Sequence, residues 1–192
     1  MMELEKLNVK LFVEQPNSVP LADFIEIFHG WIQAADGVYH DVADYSHMKA
    51  GPGIILVAND ANVSIDENGN RRGLLFSQKS RLSGSNQERL RTVLRSALDN
   101  CRRLEEEPAL RGKLRFTVNE AVISLNNRLL GANSLEAFNE IKGDVEVVAG
   151  QLLGGAKFEL ERESDSRQRL NVYVKSSATM SSAQALNNLR QS

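Results

Sequence analysis

Residues 53–78 read GIILVANDANVSIDENGNRRGLLFSQ, and this stretch decides the fold class. Ile54-Ile55-Leu56-Val57-Ala58 is apolar on both faces of an extended chain, which places that strand inside a sheet. Asn68-Gly69 falls between Asn62–Glu67 and Arg71–Gln78. This is the residue pair that a tight type I′ turn favours, because both positions need positive φ, so a hairpin is predicted. Three strands in succession with no helix between them argue against a doubly wound parallel sheet. The stretch predicts a mainly antiparallel α+β fold.

Upstream, Leu7, Val9, Leu11 and Val13 alternate and predict a first strand over Leu7–Glu14, ended by the cluster Gln15-Pro16-Asn17-Ser18. A helix should follow at once. Ser18 can cap it, Pro20 suits its first turn, and Leu21, Phe24, Ile25, Phe28, Trp31 and Ile32 recur at three- and four-residue spacing on one face. Beyond Asp36-Gly37, a short extended segment over Val38–Tyr45 leads to Gly51-Pro52-Gly53. Downstream, Ser85 and Glu88 have the spacing of a capping box. Leu90, Val93, Leu94, Ala97, Leu98, Cys101 and Leu104 then form a helical stripe that runs until Pro108. Lys113–Val118 and Ala121–Asn126 predict a second hairpin around Asn119-Glu120. A third helix starts from a cap at Asn133 or Ser134 and carries Leu135, Phe138, Ile141, Val145, Val148 and Leu152 until Gly154-Gly155. Phe158–Arg162 and Leu170–Val174 predict a last hairpin. The expected order is β-α-β-β-β-α-β-β-α-β-β, a single domain over residues 1–175 with about three helices. Residues 176–192 are expected to be a flexible tail with at most one short helix through Leu186 and Leu189.

At 192 residues with 42% hydrophobic and 25% charged content, the chain has the composition of one folded domain. No apolar run approaches the roughly 20 residues that span a bilayer, and Glu3 and Glu5 precede Lys6 where a signal peptide would be basic. Cys101 is the only cysteine, so no internal disulfide can form. The expectation is a cytoplasmic protein with no membrane partner. The net charge of −2 conceals a partition: residues 1–70 carry −8, residues 71–115 carry +7 and residues 116–192 carry −1. An acidic head and a basic middle are expected to attract one another within the fold.

His29, His40 and His47 all fall in one region, and the segment 39–53 is the first site candidate. In extended chain Asp41, Ala43 and Tyr45 point one way and His40, Val42 and Asp44 the other. Three ligands, His40, Asp44 and His47, would converge only if the chain turned at Ser46. His40, Asp41, Asp44, Tyr45 and His47 are therefore the candidates for catalysis or metal binding, with turn chemistry as the competing reading. Gly51-Pro52-Gly53 precedes a strand and lacks the lysine of a phosphate loop, and Leu75 stands where a calcium loop needs glutamate. Arg91, Arg95 and Arg102 fall on one flank of the second helix and form an anion-binding candidate. No RNA-binding aromatic signature accompanies them, so nucleic acid is not an expected partner.

Three strings, FHGWIQ at Phe28–Gln33, DVADYSHMKAGPG at Asp41–Gly53 and NRLLGAN at Asn127–Asn133, resemble those of an uncharacterised bacterial family of similar length, the likeness covering most of residues 7–175. In that family's pattern Asn59-Asp60 is often His-Glu and Asn127 is often Asp. Both departures remove possible ligands here. The central run α-β-β-β-α-β-β-α also resembles the element order of type III secretion chaperones and related small bacterial proteins.

The leading expectation is a non-catalytic, adaptor- or chaperone-like module that binds another protein or itself, with no cofactor. It rests on the charge partition and on hairpin edges able to pair with another chain. The alternative is a metal-dependent enzyme or metal-binding protein centred on residues 39–53.

Overall fold

The computed structural model describes residues 2–126 and 132–191. It is an α+β domain with one eight-stranded sheet in which every neighbouring pair is antiparallel. The strands are β1 (Leu7–Val13), β2 (Tyr39–Tyr45), β3 (Gly53–Ala58), β4 (Ala61–Asp66), β5 (Gly73–Gln78), β6 (Phe116–Leu125), β7 (Phe158–Arg162) and β8 (Asn171–Ser176), in the spatial order β2-β3-β4-β5-β1-β6-β8-β7. Four helices accompany them: α1 (Leu21–Ala34), α2 (Asn86–Glu106), α3 (Leu135–Leu152) and α4 (Ser182–Arg190). The predicted β4–β5 hairpin forms, Asp66 pairing with Gly73, but without the tight type I′ turn at Asn68-Gly69: a short 3-10 turn over Asn68–Asn70 widens the connection, and the positive φ values fall at Gly69 and Asn70.

Three expectations need correction. The hairpin predicted around Asn119-Glu120 is instead one strand, β6. Leu11 of β1 pairs with Ala121 and Phe12 with Thr117, so the intervening residues bulge out of the ladder. Asn-Glu lacks the positive-φ preference of a tight turn, and a bulge lets Val118 and Ala121 both reach the interior. The helices number four: the one short helix allowed for through Leu186 and Leu189 forms as α4, and it docks on α2 and α3 where a flexible tail was expected. Ser181 and Gln184 form a capping box there, and Ala185, Leu186 and Leu189 are buried, a spacing that the Ser- and Asn-rich composition masks. At α1 the cap position is Pro20 with no side-chain cap, not Ser18.

Strand alternation sorts the sheet into two faces. One face carries Val9, Leu11, Ile54, Leu56, Ile65, Leu74, Ile123, Val172 and Val174, all buried in a single core beneath the helices. Phe24, Phe28 and Trp31 of α1 and the Leu90–Leu104 stripe of α2 close that core from above. Each such side chain, fully buried, contributes about 1.5–3 kcal/mol. Gly53 explains the Gly-Pro-Gly turn: its φ is +64°, and a Cβ there would lie 1.9 Å from the Ile65 carbonyl oxygen. The charge partition is realised inside the fold, since Glu3 and Glu5 pair with Arg81, Glu3 with Arg89, and Glu67 with Arg72.

Candidate functional site

Among the described residues no helix packs on the other face of the sheet. A cleft of about 720 Å³ opens there, lined by β1, β4, β5, β6, β8 and the loop that leads into β8. The ladder registers align the side chains of this face in rows that cross the strands, in the cleft and on to β4 beside it. Asn62 pairs with Ser77, Ser77 with Asn8, Asn8 with Ser124 and Ser124 with Asn171. At a strand spacing of about 4.8 Å, this amide and hydroxyl row runs about 19 Å across five strands. The next row holds Ser64, Leu75, Lys10, Val122 and Tyr173.

Two of the three cations in the cleft, Lys10 and Arg71, are satisfied internally. Lys10, 8% exposed, donates to Asp66 Oδ2 at 2.5 Å and to the Asn68 carbonyl at 3.0 Å; Asp66 is 1% exposed. Arg71 lies over the Phe12 ring with its guanidinium carbon 3.8 Å from the centroid and donates twice to Glu120, at 2.6 and 2.8 Å. That pairing holds the Glu120 carboxyl below the usual carboxylate range. The Tyr173 hydroxyl donates to Glu163 at 2.7 Å, and burial together with this acceptor pushes its pKa up to about 12. Arg169 at the rim has no ion-pair partner among the described residues.

Two acceptors in the polar row have no partner among the described residues: Asn8 Oδ1 and Asn62 Oδ1 are buried and unbonded, and Asn8 as a whole is 4% exposed. A buried acceptor left unpaired costs about 1–3 kcal/mol, so two of them flanking Ser77 demand an explanation. The contrast with Asn133 is direct. That side chain is also buried, yet it donates to the carbonyls of Glu163 and Asp165 and accepts from Arg162.

The residues singled out from the sequence lie elsewhere. Asp41, Tyr45, Asp44 and His40 sit on β2 and His47 in the turn after it, all exposed at the edge of the sheet. Asp41 accepts from the Val42 N–H, and Asp44 accepts from the Ser46 N–H at 2.8 Å. Hydrogen bonds from Ser46 hold the Asp44 carboxyl below its ordinary value. The Tyr45 and His47 rings are 6.4 Å apart. Among the described residues no three His, Cys, Asp or Glu side chains converge to hold a metal ion. The arginine row is woven into the helical layer: Arg91 donates to Gln151 of α3, Arg95 to the Leu189 carbonyl of α4, and Arg102 pairs with Asp99 and Glu106 on its own helix. FHGWIQ lies in α1, and DVADYSHMKAGPG spans β2 and the turn into β3. Residues 127–131 of the NRLLGAN string, Asn127 included, are outside the described residues.

Sequence reasoning missed the cleft because its residues alternate with core positions along each strand. The available signal was the run Leu7–Val13, where Asn8 and Lys10 interrupt apolar neighbours in a strand buried on both faces. No protein-family model, curated protein or solved structure matches the chain.

Proposed function

We propose that the protein is a binding module without catalysis of its own, and that its open sheet face grips an extended segment of another protein. The observation that carries this reading is the polar row across the open face, in which Asn8, Ser124 and Asn171 line the cleft and Asn62 and Ser77 extend the row beyond it, with the buried Asn8 Oδ1 and Asn62 Oδ1 unpartnered among the described residues. An acceptor that costs free energy in the resting protein is repaid by a ligand bringing donors. Peptide N–H groups are such donors, and side-chain amides complement the peptide group in both directions. Lys10 and Arg71 are already neutralised by Asp66 and Glu120, so a phosphate backbone finds only Arg169 without an ion-pair partner among the described residues of the cleft. Leu75 and Val122, on either side of Lys10, offer apolar contact to a segment's side chains. The row is long enough for about six residues of extended chain.

Affinity capture from the native host with a tagged full chain tests this. Ser124→Trp fills the cleft floor and is expected to reduce the captured partner about tenfold or more. Thr92→Trp, on the exposed side of α2, is expected to leave it unchanged. Equal capture by wild type and Ser124→Trp overturns the reading.

A further inference from the structure

The loop between β7 and β8 carries two acids, Glu163 and Asp165, and all four of their oxygens are taken. Glu163 accepts from the Asp165 N–H at 3.1 Å through Oε1 and from the Tyr173 hydroxyl at 2.7 Å through Oε2. Asp165 accepts from the Arg167 guanidinium at 2.9 Å on each oxygen. Arg169 follows two residues later, exposed at the cleft rim, with no ion-pair partner among the described residues. The residues outside those, Met1, 127–131 and Ser192, include no acidic side chain. We propose that the segment gripped on the open face carries a carboxylate, which Arg169 receives at the β8 end of the polar row. The proposal rests on the open-face reading and names the chemistry of its partner.

The backbone beneath Arg169 is fixed. Leu170 is buried in the core, and its carbonyl accepts from the Leu125 N–H at 3.0 Å, so the β6–β8 ladder extends to it. Arg169 therefore stands beside Asn171, the β8 member of the row, and both line the cleft. Two strand spacings, about 10 Å, separate Asn171 from Asn8 and its unbonded acceptor. A segment whose N–H meets Asn8 brings its carboxylate to Arg169 about three residues further along. The other cleft cations cannot take this part, because Lys10 is committed to Asp66 and Arg71 to Glu120. A guanidinium presents parallel N–H donors that match the two oxygens of a carboxylate, one positive charge to one negative. A phosphate group, with nearly two negative charges at neutral pH, would meet a single free arginine and the Glu163 carboxylate in the same cleft.

Two pools of random hexapeptides, acetylated at the amino end, serve as probes, one amidated at the carboxyl end and the other left as the free acid. Each is passed over the immobilised full chain, and the retained peptides are sequenced by mass spectrometry. Wild type is expected to enrich aspartate and glutamate about three- to fivefold from the amidated pool where a side chain supplies the carboxylate. Where the chain terminus supplies it, the free-acid pool is retained better than the amidated one by a similar factor. Arg169→Gln should still retain peptides but lose that preference, and Arg169→Glu should turn it toward lysine and arginine. Arg115→Gln removes the same charge from an exposed arginine at the opposite end of β6 and should leave the preference intact. Far-ultraviolet circular dichroism confirms that each variant is folded. Retention by wild type with neither preference, or a preference that survives Arg169→Gln, overturns the proposal while the open-face reading stands. Equal retention by wild type and Ser124→Trp overturns both.

Discussion

Replacing Asn8 by leucine is expected to make the protein more stable and less functional. Asn8 is 4% exposed, its Oδ1 has no hydrogen-bond partner, and its strand neighbours across the ladder are Ser77 and Ser124. Leucine has the same branched skeleton with bulkier methyl ends that the adjoining cleft can take, removes the unsatisfied acceptor and adds apolar burial. Relief of a penalty of about 1–3 kcal/mol gives a gain of about 2 kcal/mol. For a chain of 192 residues this corresponds to a rise in melting temperature of about 4–8 °C. The control is Asn133→Leu, at a residue 7% exposed whose amide is bonded to Glu163, Asp165 and Arg162. The same substitution there breaks several bonds and should cost about 3 kcal/mol. Urea denaturation of wild type and both variants, read at constant m-value, measures the two effects. A neutral or destabilising Asn8→Leu would refute the reasoning, because it would mean that the acceptor is already satisfied and waits for nothing.

Lys10→Met should destabilise by about 3–5 kcal/mol, since it leaves the buried Asp66 uncompensated, and Lys10→Met with Asp66→Leu should recover most of that loss; thermal denaturation of the single and double variants checks both. Gly53→Ala should cost about 2 kcal/mol or more from the left-handed φ and the contact with the Ile65 carbonyl, or block folding outright, whereas Gly69→Ala, with open space around it, should cost no more than about 1–2 kcal/mol, as equilibrium unfolding would show. Ultraviolet titration of the three tyrosines should show one ionising near pH 12, lost in Tyr173→Phe. The raised pKa means that the folded state keeps a proton the unfolded chain releases from about pH 10, so the stabilising effect is intact below pH 10 and lost as pH rises toward 12.

Local signals made much of the architecture legible. The α2 capping box is present as the sequence predicts, with the Ser85 Oγ accepting from Glu88 N–H and the Glu88 carboxylate accepting from Ser85 N–H, and Cys101 lies buried on the apolar stripe. The antiparallel sheet followed from consecutive strand patterns around Asn68-Gly69. What was not legible depends on tertiary pairing. The bulge that fuses the segments around Asn119-Glu120 into β6 is imposed by the register of β1, and α4 holds because Leu186 and Leu189 meet α2 and α3, not because of its own composition. The cleft was hidden for the same reason. Asn62, Ser77, Asn8, Ser124 and Asn171 are far apart in sequence and become one row only when five strands take their order. The histidine-rich segment drew attention by clustering along the chain, yet an edge strand spreads its residues over two faces.

Site-specific photocrosslinking in the native host tests the central claim most directly. A benzophenone side chain placed at Ser77, in the polar row of the open face, is expected to crosslink another protein, and the crosslink should vanish when Ser124→Trp is added. The same probe at Thr92, on the outer surface of the helical layer, should give none. Crosslinks of equal strength from both positions, or a crosslink at Ser77 that survives Ser124→Trp, would contradict the account.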